Sequence, residues 1–432
     1  MKQYQNRIVD KLLQFKLSSK GAVLIEGAKW CGKTTTAKQF ARSIVSMQDQ
    51  EENNVELATI KPSFLLEGKT PRLIDEWQIV PTLWDAVRHE VDERDEFGQF
   101  ILTGSAVPPD LSKIHHTGTG RITRMLMRPM SLFESGDSSG TVSLKEIFDG
   151  NLDITGRSSL DLEQLAFLIC RGGWPKAIKC SEKVALEQAF DYFNAVVNAD
   201  ISRVDNIERD AERTTRIMRS CARAVATPTK LSSILSDIAA NETSTISEDT
   251  VASYIKALKQ IFVIEDAPAW NPNLRSKTAI RTSNTRYFTD PSIATAALGL
   301  SPKDLVRDLK TMGLLFENLA IRDLRVYADA IDGKVYHYRD SNNLECDAII
   351  HLRNGSYGLI EIKLGGEKLI NEGVITLNKL AKNLDTKKMK SPSFKMILTA
   401  VGSYAYQRKD GILIVPIGSM GGTATSYSGR IP

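Results

Sequence analysis

Eight residues near the start of the chain restrict its fold more than any others. Gly27-Ala28-Lys29-Trp30-Cys31-Gly32-Lys33-Thr34 has the form G-x-x-x-x-G-K-T, and the apolar run Ala22–Ile25 leads into it. Such a run reads as a buried parallel strand. After the loop a helix is expected over Thr36–Ser43, with Ala37, Phe40 and Ala41 on one side. Strand, glycine loop and helix in that order commit the region to a parallel α/β sheet with flanking helices. The glycines let the backbone curl so that its amides face phosphate oxygens. Lys33 reaches the terminal phosphates, Thr34 ligates Mg²⁺, and the helix N-terminus adds its dipole. Gly27 to Thr34, with Thr35, are therefore candidate contacts for ATP and Mg²⁺. Cys31 reads as a small filler.

Two further strands end in polar residues. "PRLIDEWQ" closes on Asp75 and Glu76. Asp75 would hold the Mg²⁺ shell and Glu76 would polarise the attacking water. With only Leu73 and Ile74 as apolar lead, an exposed acidic turn is the plain alternative. "QFILTGSA" gives a buried strand, Phe100–Leu102, ending in Thr103, Gly104 and Ser105, where Ser105 would sense the terminal phosphate. Downstream, "GTGRITRMLMRP" supplies Arg121 and Arg124. One of the two, with Arg121 the candidate catalytic residue, reads as an arginine finger acting across the interface of a homo-oligomer, against the alternative of ordinary surface charge.

A chain of 432 residues is too long for one hydrophobic core, so several domains are expected. Net charge is +4, which permits nucleic-acid binding without arguing for it. The five cysteines are widely spaced and form no CxxC pair, which excludes a disulfide framework or a zinc knuckle. No stretch reads as a signal peptide or a membrane span, so a cytoplasmic protein without a membrane partner is expected.

"GAKWCGKTTTA", "LIDEWQ", "ILTGSA" and "RGGWPKAI", in that order, resemble the prokaryotic AAA-type ATPases that join a P-loop domain to a nuclease-like C-terminal domain of unknown function. The resemblance covers nearly the whole chain. It implies a multidomain α/β protein with an ATPase core over 1–155 and a helical lid over 156–200. It also implies that Gly173-Trp174-Pro175 lies against the adenine, with Pro175 among the nucleotide contacts. A turn closing a helix after Leu168 is the reading without it.

The middle of the chain has helical spacing at Leu186, Phe190, Phe193 and Val197, and again at Val251, Ile255, Leu258 and Phe262. A short helix, a polar turn, a second helix (Ser247–Ile261) and extended chain (Phe262–Phe288) follow the order of a winged helix. The 201–300 region is read so, with Ser253, Lys256 and Lys259 available for DNA phosphates. Winged folds also serve as protein–protein spacers, and Glu248 and Asp249 sit on the same helix. Arg209, Arg213, Arg216, Arg219 and Arg223 form one stripe, read as a solvated face paired with Glu208, Asp210 and Glu212.

The region 301–432 carries "ECDAIIHL" and "LIEIKL", two strands with period-two alternation. Asp347 opposes the apolar face of the first, and Glu361 with Lys363 opposes that of the second. Glu317 falls on the apolar stripe of "GLLFENLAIRDLRVYA", where a carboxylate needs a partner or a metal. Glu317, Asp347, Glu361 and Lys363 together resemble a PD-(D/E)xK nuclease site on a restriction-endonuclease-like α/β fold. That resemblance implies metal ligation by the three carboxylates, catalysis by Glu361 and Lys363, and DNA as substrate. A structural hairpin with surface ion pairs is the alternative. Two functions stay open: an ATP-driven enzyme on DNA, or a nucleotide-switched DNA- or protein-binding regulator whose nuclease fold is not catalytic.

Overall fold

The computed structural model describes residues 4–49, 53–106, 116–205, 207–239, 246–272, 283–385 and 389–422. The expected polar turn at 240–245, the middle of the extended passage at 273–282 and the last ten residues of the expected C-terminal domain lie outside these. The chain forms two compact units. The first comprises Met1–Pro129, Ala195–Ala211 and Ser253–Val263, and the second Met130–Asn194, Glu212–Ala252 and Ile264–Pro432. The first unit departs from the expected block 1–155: it stops at Pro129 and takes in two later segments.

The first unit holds five parallel strands: β1 Ala22–Glu26, β2 Ser43–Ser46, β3 Arg72–Asp75, β4 Phe100–Gly104 and β5 Ile122–Leu126. Their order across the sheet is β2-β3-β4-β1-β5, with every pairing parallel. Ala22 and Leu24 pack with Trp77, Trp84 and Val87 on one face, while Val23 and Ile25 pack with Leu13 and Ala37 on the other. Burial on both faces is why β1 reads as an unbroken apolar run. Full burial of Val23, Leu24 and Ile25 contributes about 1.5–3 kcal/mol each.

The helix after the loop runs Lys33–Phe40, shorter than the expected Thr36–Ser43 at its far end. Ala41 is extended (φ −78°, ψ 138°), the Arg42 amide donates to the Pro71 carbonyl at 2.8 Å, and Ser43 opens β2. A tertiary hydrogen bond ends this helix, with no glycine or proline in the local sequence to announce it.

The second unit is built on a mixed sheet. Its strands are β6 Val142–Ser143, β7 Gly156–Arg157, β8 Gly333–Arg339, β9 Glu345–Leu352, β10 Tyr357–Lys363, β11 Phe394–Thr399, β12 Tyr404–Gln407, β13 Leu413–Pro416 and β14 Met420–Gly421. Seven of them lie in the order β7-β12-β13-β11-β10-β9-β8. β8/β9 and β9/β10 are antiparallel, whereas β10/β11 and β11/β13 are parallel. The helix Glu367–Asn383 packs Val374, Leu377 and Leu380 against Ile349, Leu359 and Ile397 of the sheet.

The helix Leu309–Asp329 is buried at every residue from Asn318 to Ala328, as befits a helix enclosed on all sides. It contains Arg322 and Asp323. Arg322 donates to Asp290 at 2.8 Å and to Asp323 at 2.9 Å, Asp323 accepts the Leu132 amide at 2.9 Å, and Asp290 accepts the Gly173 amide at 2.9 Å.

Helices Ala211–Arg223, Leu231–Ala239 and Glu248–Gln260 follow one another, and short antiparallel bridges join Thr227 to Arg286, Ile264 to Phe288 and Ala267 to Thr285. The expected arginine stripe does not hold as a single solvated face. Arg209 is buried before the helix begins and grips Asp205 at 2.6 and 2.7 Å, and Arg219 donates to the Ala297 carbonyl at 2.9 Å. Among the described residues no helix is long and apolar enough to cross a membrane.

Candidate functional site

The glycine loop connects β1 to the helix Lys33–Phe40. Gly27 has φ 145°, and a Cβ there would lie 2.0 Å from the Met127 carbonyl oxygen, so only glycine fits. Trp30 is also left-handed, at φ 65°. Lys33 is buried and folds back, its Nζ donating to the carbonyls of Gly27 (2.8 Å) and Ala28 (2.9 Å). The ammonium thus sits on the loop's own acceptors. Lys29 reaches Asp200, 171 residues further on, at 2.5 Å.

Opposite the loop, the ends of β3 and β4 converge. Asp75 Oδ1 accepts from Thr34 Oγ1 at 2.7 Å and from Thr103 Oγ1 at 2.5 Å. A hydroxyl and a carboxylate oxygen in contact form a hard-oxygen donor pair suited to Mg²⁺. Glu76 is left-handed at φ 57°, and its Oε2 accepts from Ser105 Oγ at 3.1 Å and from Gln78 Nε2. Thr34, the adjacent pair Asp75 and Glu76, and Ser105, from three separate segments, therefore meet.

Arg121 and Arg124 are about half exposed, and each pairs inside its own unit. Arg121 holds Asp92 at 2.6 Å and keeps that carboxyl below its usual range. Arg124 holds Glu26 at 2.7 Å and lies over the Trp84 ring. Burial nevertheless leaves the Glu26 carboxyl raised.

Pro175 belongs to the other unit from the glycine loop. Its neighbour Trp174 is fully buried, stacks on Tyr192 at 4.4 Å and donates to Ser292 at 2.9 Å. Trp174 is thus a core anchor of its own unit.

The second cluster lies on β9, β10 and the helix Leu309–Asp329. β9 and β10 pair with Ala348 opposite Ile360. Lys363 Nζ donates to Asp347 at 3.0 Å and to Glu361 at 2.7 Å, and Asp347 also accepts the Ile362 amide at 2.7 Å. Glu317 turns its Oε1 to the hydroxyl of Tyr287 at 2.7 Å. Burial, and then the Asp347 charge, raise the Glu317 carboxyl well above its usual value and push Glu361 up to about 8. Burial opposes charge on Lys363 too, yet the two carboxylates outweigh it and its pKa is raised.

Two buried oxygens here have no hydrogen-bond partner: Glu361 Oε1, and Thr399 Oγ1 on the strand beside Lys363. The donor chemistry suits a hard divalent cation, and the orphaned Glu361 oxygen is where one would gain. Against this, among the described residues no group of three or more His, Cys, Asp or Glu side chains is arranged to hold a metal ion. As placed, the Lys363 ammonium stands between Asp347 and Glu361 where a cation would bind. Tyr287, Thr399 and Gln78 were not among the residues the sequence singled out. Gln78 has a local signal in "DEWQ", two positions after Glu76.

Three family models match separate parts of the chain. Residues 19–135 match an AAA domain, 162–304 match Domain of unknown function (DUF8612), and 312–420 match Domain of unknown function (DUF4143). Uncharacterized proteins of Mycobacterium bovis and Mycobacterium tuberculosis are each 22% identical over 344 residues, covering 79% of this chain and 70% of theirs. Among solved structures, the Walker-type ATPase of Pyrococcus abyssi is similar at 14% identity and TM-score 0.41, over 67% of this chain and 94% of that one. The Aeropyrum pernix Orc1 protein in complex with DNA is similar at 11% identity and TM-score 0.24, over 72% and 95%. At these TM-scores neither structure carries an assignment. The AAA match covers β1, the glycine loop, Asp75, Glu76 and Ser105, and residues 19–135 thus form a P-loop ATPase domain of the AAA type.

Proposed function

We propose that the protein binds Mg²⁺-ATP through Gly27–Thr35 and hydrolyses it, with Glu76 as base and Thr34 and Asp75 as the residues that would hold Mg²⁺. The observation that carries this is the meeting of the Thr34 and Thr103 hydroxyls on Asp75, with Glu76 next in the chain. Mg²⁺ held by Thr34 and Asp75 would supply charge neutralisation at the phosphates. Lys33 leaves the loop carbonyls for those phosphates, and Ser105 follows the γ-phosphate. Arg121, or Arg124, serves a neighbouring copy in a homo-oligomer once released from its acidic partner. Lys33→Ala should abolish nucleotide binding, and Glu76→Gln should bind but turn over slowly. Unchanged hydrolysis in Lys33→Ala sinks the assignment.

We also read 201–300 as winged-helix-like, on its run of three helices and the bridged segments at 264–267 and 285–288; its residues 201–211 and 253–263 belong to the first unit. We read 301–432 as a nuclease-like domain acting on DNA. Glu317, Asp347 and Glu361 would hold the cation, which would supply a water of lowered pKa and charge neutralisation at phosphate. Lys363 would orient that water. The single test is cleavage of plasmid and single-stranded DNA with Mg²⁺ or Mn²⁺, with and without ATP. The ammonium between Asp347 and Glu361 favours the second reading, a nucleotide-switched regulator in which the cluster grips DNA or a protein without cutting. No cleavage under any of these conditions, whether or not the cation raises the melting temperature, would decide for that reading.

A further inference from the structure

The geometry points to Gln78 as a positioning residue for ATP hydrolysis, holding the Glu76 carboxylate through its side-chain amide. This rests on the proposed role of Glu76. The left-handed turn at Glu76 is followed by the 3-10 turn Trp77–Ile79, which brings residue 78 back beside residue 76. Gln78 Nε2 and Ser105 Oγ both donate to Glu76 Oε2, and the Glu76 amide donates to Thr103 Oγ1 at 3.3 Å. The carboxylate is therefore held from β4 and from its own turn.

The orientation of the Gln78 amide follows from chemistry. An ionised carboxylate only accepts, so the NH₂ end must face Glu76 and the carbonyl must point away from it. That carbonyl oxygen, Oε1, is buried and has no hydrogen-bond partner. β4 also makes room for it: a Cβ on Gly104 would stand 3.0 Å from Gln78 Oε1 and 3.1 Å from Trp77 Nε1.

Gln78 and Ser105 both hold Glu76 Oε2, so the other carboxylate oxygen is left to accept a proton from the attacking water. In the reaction the water oxygen bonds to the γ-phosphorus and its proton passes to Glu76. The bond from the γ-phosphorus to the bridging oxygen breaks, leaving its electrons on ADP. Gln78 transfers no proton and is unchanged.

The test is steady-state ATP hydrolysis by the full chain, beside the affinity for a fluorescent ATP analogue and the melting temperature. Gln78→Met keeps the length and removes both polar ends. It should lower kcat about 10- to 100-fold while nucleotide affinity and melting temperature stay near wild type. Gly104→Ala, which disturbs the amide from β4, should lower kcat with Gln78 in place and add little in a Gln78→Met background. Turnover at the wild-type rate in Gln78→Met, or a parallel fall of affinity and melting temperature, overturns the inference. Full turnover in Glu76→Gln, or a wild type that hydrolyses no ATP, instead overturns the reading of Glu76 on which it stands.

Discussion

Lys363 has two carboxylates within hydrogen-bond reach, and the third, Glu317, turns to a phenol. Burial already holds Glu317 and Glu361 above the usual carboxylate range, so removing the ammonium leaves Asp347 and Glu361 without their counter-charge. Lys363→Ala should cost on the order of 3 kcal/mol in denaturant melts without divalent cations. Mn²⁺ should restore more stability to that variant than it adds to wild type, because the cation then enters without displacing a side chain. Equal Mn²⁺ shifts in the two proteins would argue that no cation binds there. Thr399 gives a prediction of opposite sign. Its hydroxyl is buried without a partner, so Thr399→Val should be neutral or stabilising, by up to about 1–2 kcal/mol. A loss of 2 kcal/mol or so in the same melts would mean that the hydroxyl has a partner, such as a bound water.

At the scale of elements, the helix Leu309–Asp329 is tied down by its own buried charges. Arg322 is 1% exposed in its side chain and stands between Asp290 and Asp323. Arg322→Met should destabilise by about 3–5 kcal/mol, because both aspartates stay buried without it. Burial pushes the Asp323 carboxyl up to about 6, even though Arg322 and the Leu132 amide pull it down. A carboxyl raised in the folded state keeps its proton longer than in the unfolded chain. Its contribution is therefore full below about pH 4 and is lost as pH rises through about 6. Urea melts between pH 4 and 7 should show that loss, and Asp323→Asn should flatten it. Much of this architecture could be read in the residues. The unbroken apolar run of β1 declares a doubly covered strand, and the period-two pattern of β9 and β10 sets Asp347 against Glu361 and Lys363. Contributions that depend on partners far away in the chain could not be read. Thr399 lies beside Lys363 only through the β10/β11 register, and Tyr287 reaches Glu317 from a short bridged segment with no strand pattern of its own.

For the whole molecule, two compact units make a single unfolding transition an assumption to be tested. Mg²⁺-ATP at about 100 times its Kd should stabilise the unit with the glycine loop by about 2.7 kcal/mol. Scanning calorimetry with ATP or Mn²⁺ alone should raise a different transition in each case. One transition responding to both ligands would show that the units melt together. The order in which the chain is made has a consequence of its own. The first unit includes Ser253–Val263, and Lys29 is paired with Asp200. On a ribosome, the first 129 residues emerge without those later segments. At about 5–20 residues per second, synthesis of the 134 residues from 129 to 263 takes roughly 7–27 s. For that interval the nascent P-loop sheet lacks part of its own unit, and anything that must shield its exposed apolar surface has to act then.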